Sequence, residues 1–276
     1  MNLTLAGISI YPVKSTAGRA LEHAAVEPWG LAGDRRWMVI DGDGECVTAR
    51  RDRRLLRVAA QEVSGGLLLH DLESGQELTV RPATGPEIPV TVHGRGAGGI
   101  HLGSDADAWF ADLLGRDDVR LVSVGSPRPL NPDHSRPGDA TAFADAYPIS
   151  LATTRSLAQL GDWITETALE RGEDPATIPM ERFRPNLVVD GDSEAFAEDR
   201  WRTVQIGDVT FDVAKRIDRC VLTTIDPQTL QSGPEPIRTL ARHRREDGKT
   251  WFAVQLIPRS RGTLRVGDDV VPAAID

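Results

Sequence analysis

Cys220 is the residue whose type and setting point most directly to chemistry. It lies in Lys215-Arg216-Ile217-Asp218-Arg219-Cys220-Val221-Leu222-Thr223-Thr224-Ile225-Asp226-Pro227 and is one of two cysteines in the chain, Cys46 being the other. The thiolate is the form of cysteine that attacks a substrate or binds a metal, and neighbouring positive charge lowers its pKa. Lys215, Arg216 and Arg219 supply such charge. No histidine base stands near Cys220 in sequence, so a metal-ligand role fits better than an activated nucleophile. The opposing reading is an inert thiol packed as a small hydrophobe.

Four further stretches carry donors for an anion. They are Lys14-Ser15-Thr16, Asp34-Arg35-Arg36, Thr153-Thr154 and Arg184-Pro185-Asn186. A phosphate is held by bidentate arginine, by lysine and by hydroxyls. The chain has 29 arginines and only three lysines, so an arginine alone discriminates little. Thr153 and Thr154 stand where a helix is expected to begin, and a helix N-terminus favours anions.

Composition narrows the function classes. The 276 residues are 40% hydrophobic and 26% charged, as in a soluble globular protein of one large or two ordinary domains. A net charge of −9 argues against general nucleic-acid binding. Two cysteines exclude a disulfide framework and an all-cysteine zinc or iron–sulfur site within one chain. The six histidines show no metal-ligand spacing and are expected in solvated loops. No apolar run is long enough to span a bilayer, and Met1-Asn2-Leu3-Thr4-Leu5 lacks the start of a signal peptide. The expectation is a cytoplasmic protein with no membrane contact. Arginines at 50, 51, 53, 54 and 57, and Arg242 to Arg245, form two basic clusters read as solvated faces.

Alternation predicts strands at 2–10, 36–40, 45–50, 54–63, 67–70, 77–80, 89–92 and 119–124. Cys46 falls in one of them, with a packing role. Gly94 to Gly99 is expected to be a flexible loop, and it is no phosphate-binding loop because no Gly-Lys-Ser/Thr follows. A helix is expected over 105–114, capped by Ser104 and stopped by Gly115. Residues 125–146 are rich in Pro, Gly, Asp and Ser and read as a long loop, placing a domain change after 124. The second part predicts strands at 147–152 and 187–190, a helix at 155–170 and a hairpin over 201–206 and 209–213. A helix at 236–246 and strands at 251–257 and 263–266 complete it. Arg184 precedes Pro185 and is expected to be extended.

These pieces, in order, resemble the MOSC-domain family. The carriers are YPVKS at 11–15, GDRRWMVID at 33–41, VTAR at 47–50, FRPNLVV at 183–189, AEDRW at 197–201, IGDV at 206–209, RCVLTTIDP at 219–227 and VGD at 266–268. The branch they resemble holds the mitochondrial amidoxime-reducing component and YcbX-type bacterial proteins. The resemblance implies an α+β, mainly β fold. An N-terminal β-barrel-like MOSC domain, 1–124, is followed by a cofactor-binding MOSC β-barrel domain with peripheral helices, 125–276. It implies the molybdenum cofactor (Mo-molybdopterin), with Cys220 as the metal ligand and catalytic residue. Lys14, Ser15, Arg35, Arg36, Thr153, Thr154, Arg184, Asn186, Asp218 and Arg219 are the candidates to bind it. Of the arginine pair, Arg35 follows Asp34 as in the family's Asp-Arg pair and is the first choice. Asp218 stands where the mitochondrial members carry a small polar residue.

The activity so implied is reduction of small N-hydroxylated compounds such as amidoximes and hydroxylamines. Electrons come from a separate donor protein of a ferredoxin- or cytochrome-type reductase system, because the cysteines of an iron–sulfur domain are missing from this sequence. The basic clusters offer a docking face for an acidic carrier. The alternative is a non-catalytic sulfur or molybdenum-cofactor carrier protein. Pyridoxal phosphate is disfavoured, since Lys14 suits a phosphate contact better than a Schiff base.

Overall fold

The computed structural model describes residues 2–82 and 84–274. They form two compact units that interleave along the chain: residues 1–9, 20–28 and 147–276 in one, 10–19 and 29–146 in the other.

The first unit is built on a closed seven-stranded β-barrel. Its strands follow one another as Ile149–Thr153, Leu187–Gly191, Leu3–Ile10, Asp269–Ala274, Trp201–Ile206, Val209–Asp218 and Lys249–Pro258, and the last pairs back to the first. Closure leaves few open edges, which a mainly antiparallel sheet otherwise exposes to aggregation. Leu3–Ile10 shows how the sequence dictates this. Leu3 and Leu5, then Ile8 and Ile10, are buried, so the inward phase slips by one residue between them. The register against Leu187–Gly191 shifts between Leu5 and Gly7, a bulge that absorbs the slip.

Helices cover the barrel wall. Thr154–Arg171 carries Leu160, Ile164 and Ala168 on one face, and Ile237–His243 adds Leu240. They pack with Phe183, Phe196 and Phe252 in one buried cluster. Burying a side chain of this size contributes about 1.5–3 kcal/mol each, so this cluster holds the wall that carries the Cys220 stretch.

The second unit holds a four-stranded sheet in the order Trp37–Ile40, Arg120–Val124, Arg95–His101, Glu87–Val92. A three-stranded sheet of Val58–Val63, Gly66–Asp71 and Glu77–Val80 stands beside it in the chain. The helix Ser104–Leu114 buries Ala106, Phe110 and Leu114. Met38, Ile40, Val90, Val92, Val122 and Phe143 make a core.

Four local expectations change. The glycine-rich run is not a loop: Arg95–His101 is a strand paired on both sides. A β-carbon at Gly99 would lie 3.1 Å from side-chain atoms of both Val122 and Val90, so glycine there permits close strand packing. Residues 45–50 form only isolated bridges at Glu45 and Cys46. Residues 53–57 are a short 3-10 helix before Val58–Val63. Residues 125–146 include the paired segments Arg128–Pro129 and Ala140–Thr141.

Candidate functional site

Cys220 is exposed and in no disulfide. The strand Val209–Asp218 runs almost to it, and the 3-10 helix Val221–Thr224 starts directly after it. The amide and hydroxyl of Thr223 donate to the Cys220 carbonyl at 3.2 and 3.1 Å, closing a tight turn that presents the thiol outward. Arg219 points inward. Its Nε donates to the Phe252 carbonyl at 2.8 Å and its Nη1 to the Phe183 carbonyl at 3.0 Å. Its guanidinium lies 5.3 Å from the Phe183 ring centre, and Phe183 stacks on Phe252 at 3.9 Å. Planar cations suit such aromatic faces. The Asp218 carboxylate accepts from the amide of Thr250 at 3.1 Å, so the acid before the arginine fastens a neighbouring strand.

Arg184 departs from its expected extended backbone. It is left-handed (φ 52°, ψ 47°) and ends the 3-10 helix Met180–Phe183, its amide donating to the Glu181 carbonyl. Asn186 is buried. Its side-chain carbonyl accepts from the Ser150 amide and hydroxyl, both at 3.1 Å, and its side-chain amide donates to the Ser9 carbonyl at 3.0 Å. Asn186, directly before the strand Leu187–Gly191, therefore ties together the strands Ile149–Thr153 and Leu3–Ile10. Thr153 is the N-cap of Thr154–Arg171 and accepts from the Ser156 amide. Its hydroxyl donates to Ser156 Oγ at 2.8 Å and lies 3.2 Å from the Glu198 carboxylate. Thr154 donates to Asp190. The carboxylate at this helix start is thus the protein's own Glu198, which is fully buried and receives Ser156 Oγ at 2.7 Å. Burial pushes the Glu198 carboxyl above its ordinary range, against the pull of the Ser156 bond.

In the second unit, Lys14 is 4% exposed. Its ammonium donates to the Phe143 carbonyl at 2.8 Å and to Asp145. Asp145 also meets His93 Nε2 at 3.1 Å and Arg50 Nη1 at 3.5 Å. The Asp145 side chain is half exposed; desolvation by the protein around it works against its charge, but Lys14 and His93 outweigh that and hold the carboxyl well below the usual range. Beside this cluster Cys46, Thr48, Arg50 and His93 line a cavity of about 570 Å³. Burial pushes the Cys46 thiol up to about 11.

Arg35 and Arg36 part company. Arg35 lies in a turn at φ 49°, pairs with Asp34 and sits 4.7 Å from the Tyr11 ring centre. Burial opposes its charge, and Asp34 more than offsets that, so its pKa stays above the ordinary guanidinium value. Arg36 packs over Trp29 at 3.8 Å and donates to the Leu31 carbonyl at 3.3 Å. Backbone bonds knit the segments that carry these residues. Arg35 N donates to Tyr11 O at 2.9 Å, Lys14 N to Trp37 O at 2.8 Å and Phe143 N to Arg35 O at 3.1 Å.

Ser15, Arg35 and Arg184 are three of the eight non-glycine residues with positive φ among those described, and His93 is a fourth. Such backbone is uncommon and gathers at functional sites. No pattern in the sequence marked Asp145, His93 or Arg182. Arg182 is buried and donates from Nε to the Thr223 carbonyl at 2.8 Å. It sits in ERFRPN, two residues before Arg184, where only tertiary structure separates an inward arginine from its neighbour. The basic clusters are largely matched in place. Arg54 pairs with Asp52, Arg57 with Asp71 and Glu73, Arg242 with Glu170, and Arg244 with Asp199. His243 stacks on Trp163 at 4.4 Å.

Fold and site together define a two-part, barrel-based protein with an exposed cysteine. Residues 2–117 match the MOSC N-terminal beta barrel domain and residues 138–271 the MOSC domain. Mitochondrial amidoxime-reducing component 1 of Mus musculus is 32% identical over 289 residues, covering 97% of this chain and 81% of that protein. The Homo sapiens component 1 is also 32% identical, covering 97% and 82%, and the Homo sapiens component 2 is 31% identical with the same coverage. The chain belongs to the MOSC-domain family, with the amidoxime-reducing components among its relatives.

Proposed function

We propose that this chain binds a molybdenum cofactor through Cys220 and reduces N-hydroxylated compounds with electrons from a separate donor protein. The observation that carries the reading is the Cys220 turn: an exposed thiol next to an inward arginine. Among the described residues no three His, Cys, Asp or Glu side chains gather to hold a metal. Cys220 would be the ligand this chain offers, with the remaining metal ligands supplied by the cofactor's own dithiolate. The names of the relatives supply the substrate class.

Reduction of N–OH to N–H takes two electrons and two protons and releases one water. The bound cofactor supplies the redox centre for that exchange. The chain's own residues bind and orient. Lys14, Ser15, Arg35, Arg184 and Arg219 would be the donors for the pterin and its phosphate. Arg36, Thr153, Thr154, Asn186 and Asp218 fix the segments that carry them, through the contacts to Leu31, Glu198, Asp190, Ser150 and Thr250. Cytoplasmic residence belongs to the same reading.

Molybdenum analysis of freshly purified protein, beside benzamidoxime reduction with an artificial electron donor, tests the reading. Wild type is expected to hold molybdenum and turn over, and Cys220→Ala to lose both. Metal and turnover retained in Cys220→Ala overturn it. Cofactor bound without reduction favours the carrier alternative.

A further inference from the structure

We infer that Asp145 is the positioning residue for Lys14: it holds the buried ammonium in place as a donor to an anionic ligand. The ligand part of this inference rests on the cofactor reading above; the restraint on Lys14 does not.

The geometry is specific. A buried ammonium is costly unless its protons are matched. Two of the three Lys14 protons go to one short segment, to the Phe143 carbonyl at 2.8 Å and to the Asp145 carboxylate. That segment is itself anchored. Arg128, 3% exposed, donates from Nη2 to the Ala144 carbonyl at 2.7 Å and reaches the Asp145 carbonyl at 3.4 Å. The Phe143 amide donates to the Arg35 carbonyl at 3.1 Å. The outer side of the carboxylate faces His93 and Arg50 at 3.1 and 3.5 Å. Asp145 thus sits between a buried cation it fixes and two side chains, His93 and Arg50, that hold its outer side.

The sign of its effect separates positioning from simple charge. Removing a carboxylate near an anion site strengthens anion binding if the only effect is electrostatic. It weakens binding if the carboxylate is what keeps the lysine in place.

The chain suits a direct test because it has three lysines. Lys215 and Lys249 are exposed and Lys14 is buried. The rate of amine acetylation at each can be read by mass spectrometry, with Lys215 and Lys249 as internal controls, in wild type, Asp145→Asn and Asp145→Glu. Molybdenum per chain is measured on the same samples. Loss of one charge-assisted hydrogen bond is expected to raise Lys14 acetylation about tenfold in Asp145→Asn, with the controls unchanged. Asp145→Glu restores much of the protection. Molybdenum retention falls severalfold in Asp145→Asn and recovers in Asp145→Glu. Unchanged Lys14 acetylation in Asp145→Asn overturns the inference. So does faster acetylation with equal or higher molybdenum retention, which makes Asp145 a plug. Acceleration at all three lysines marks general loosening and also overturns it. Wild type without molybdenum sinks the cofactor reading and the ligand part with it, while acetylation still decides the restraint on Lys14.

Discussion

Arg182 donates from Nε to the main-chain carbonyl of Thr223 at 2.8 Å, joining residues 41 apart in sequence. The acceptor lies in the 3-10 turn that follows Cys220. The same guanidinium stands 3.6 Å from Asp226 at the far end of that turn. The exposed thiol therefore stands on a turn fastened by a buried arginine.

Replacing Arg182 should loosen this turn before it loosens the barrel. Arg182→Ala removes a charged donor from a buried carbonyl, a change of about 1.5–3 kcal/mol. Urea denaturation is expected to show a loss in that range. Iodoacetamide labelling of Cys220 should change in rate at the same time. Arg182→Lys should rescue poorly, because an ammonium cannot reproduce the planar fork.

The two cysteines should differ sharply in reactivity. Burial pushes the Cys46 thiol up to about 11, while Cys220 is exposed. Only the thiolate reacts, so at pH 8 roughly one Cys46 in a thousand is reactive. Peptide mapping after brief alkylation of cofactor-stripped protein is expected to find Cys220 modified and Cys46 spared. Cys46 labelling should climb about tenfold per pH unit toward its pKa. Equal labelling at pH 8 would contradict the burial of Cys46.

Glu198 should leave a pH signature on stability. Its folded pKa is raised above the unfolded value, so the folded state binds more protons in the interval between them. The stability it contributes is fully present below the unfolded carboxyl pKa, about 4.3. It is lost as pH rises through the folded value. Glu198→Gln keeps an acceptor for Ser156 and Thr153 without the charge. Urea midpoints measured across the acid range should fall less with rising pH in Glu198→Gln than in wild type. Parallel curves would remove Glu198 from the account.

Gly191 should tolerate no side chain. Its φ is 127°, and a β-carbon would stand 2.1 Å from the Asn2 carbonyl oxygen. Leu3 pairs with Gly191 where the N-terminal strand joins the barrel. Gly191→Ala is expected to cost about 2 kcal/mol or more from strain at a residue held outside its preferred region. Thermal melting of the variant beside Gly75→Ala provides the comparison. Gly75 also has positive φ but nothing within 4 Å of its β-carbon site, so it carries the backbone term without the clash.

Much of the fold was written in local pattern. The hairpin over 201–206 and 209–213 and the helices starting near 104 and 154 follow from alternation, apolar spacing and terminal glycines; Thr153 caps the second helix, but Ser104 does not cap the first, whose N-cap is Gly103 with no side-chain bond. The ordered motifs around Lys14, Arg35, Arg184 and Cys220 identified the family, because their residue types recur in the same order along the chain. What local pattern could not convey was contact across the chain. Leu3–Ile10 reads as a strand anywhere, yet it belongs to the barrel formed by residues far downstream. The run at 94–99 reads as a loop because glycine lacks strand propensity, yet packing against Val90 and Val122 makes glycine the residue that fits.

The sequence by itself determined the family, the mainly β architecture and Cys220 as the residue of interest. Those rest on residue type and spacing, which need no partner to be read. Only the tertiary structure decided that Arg35 turns through a left-handed backbone while Arg36 lies on Trp29, that Arg184 is not extended, and that Lys14 answers to Asp145. Lys14 and Asp145 are 131 residues apart, and a contact of that separation exists only once the chain has folded.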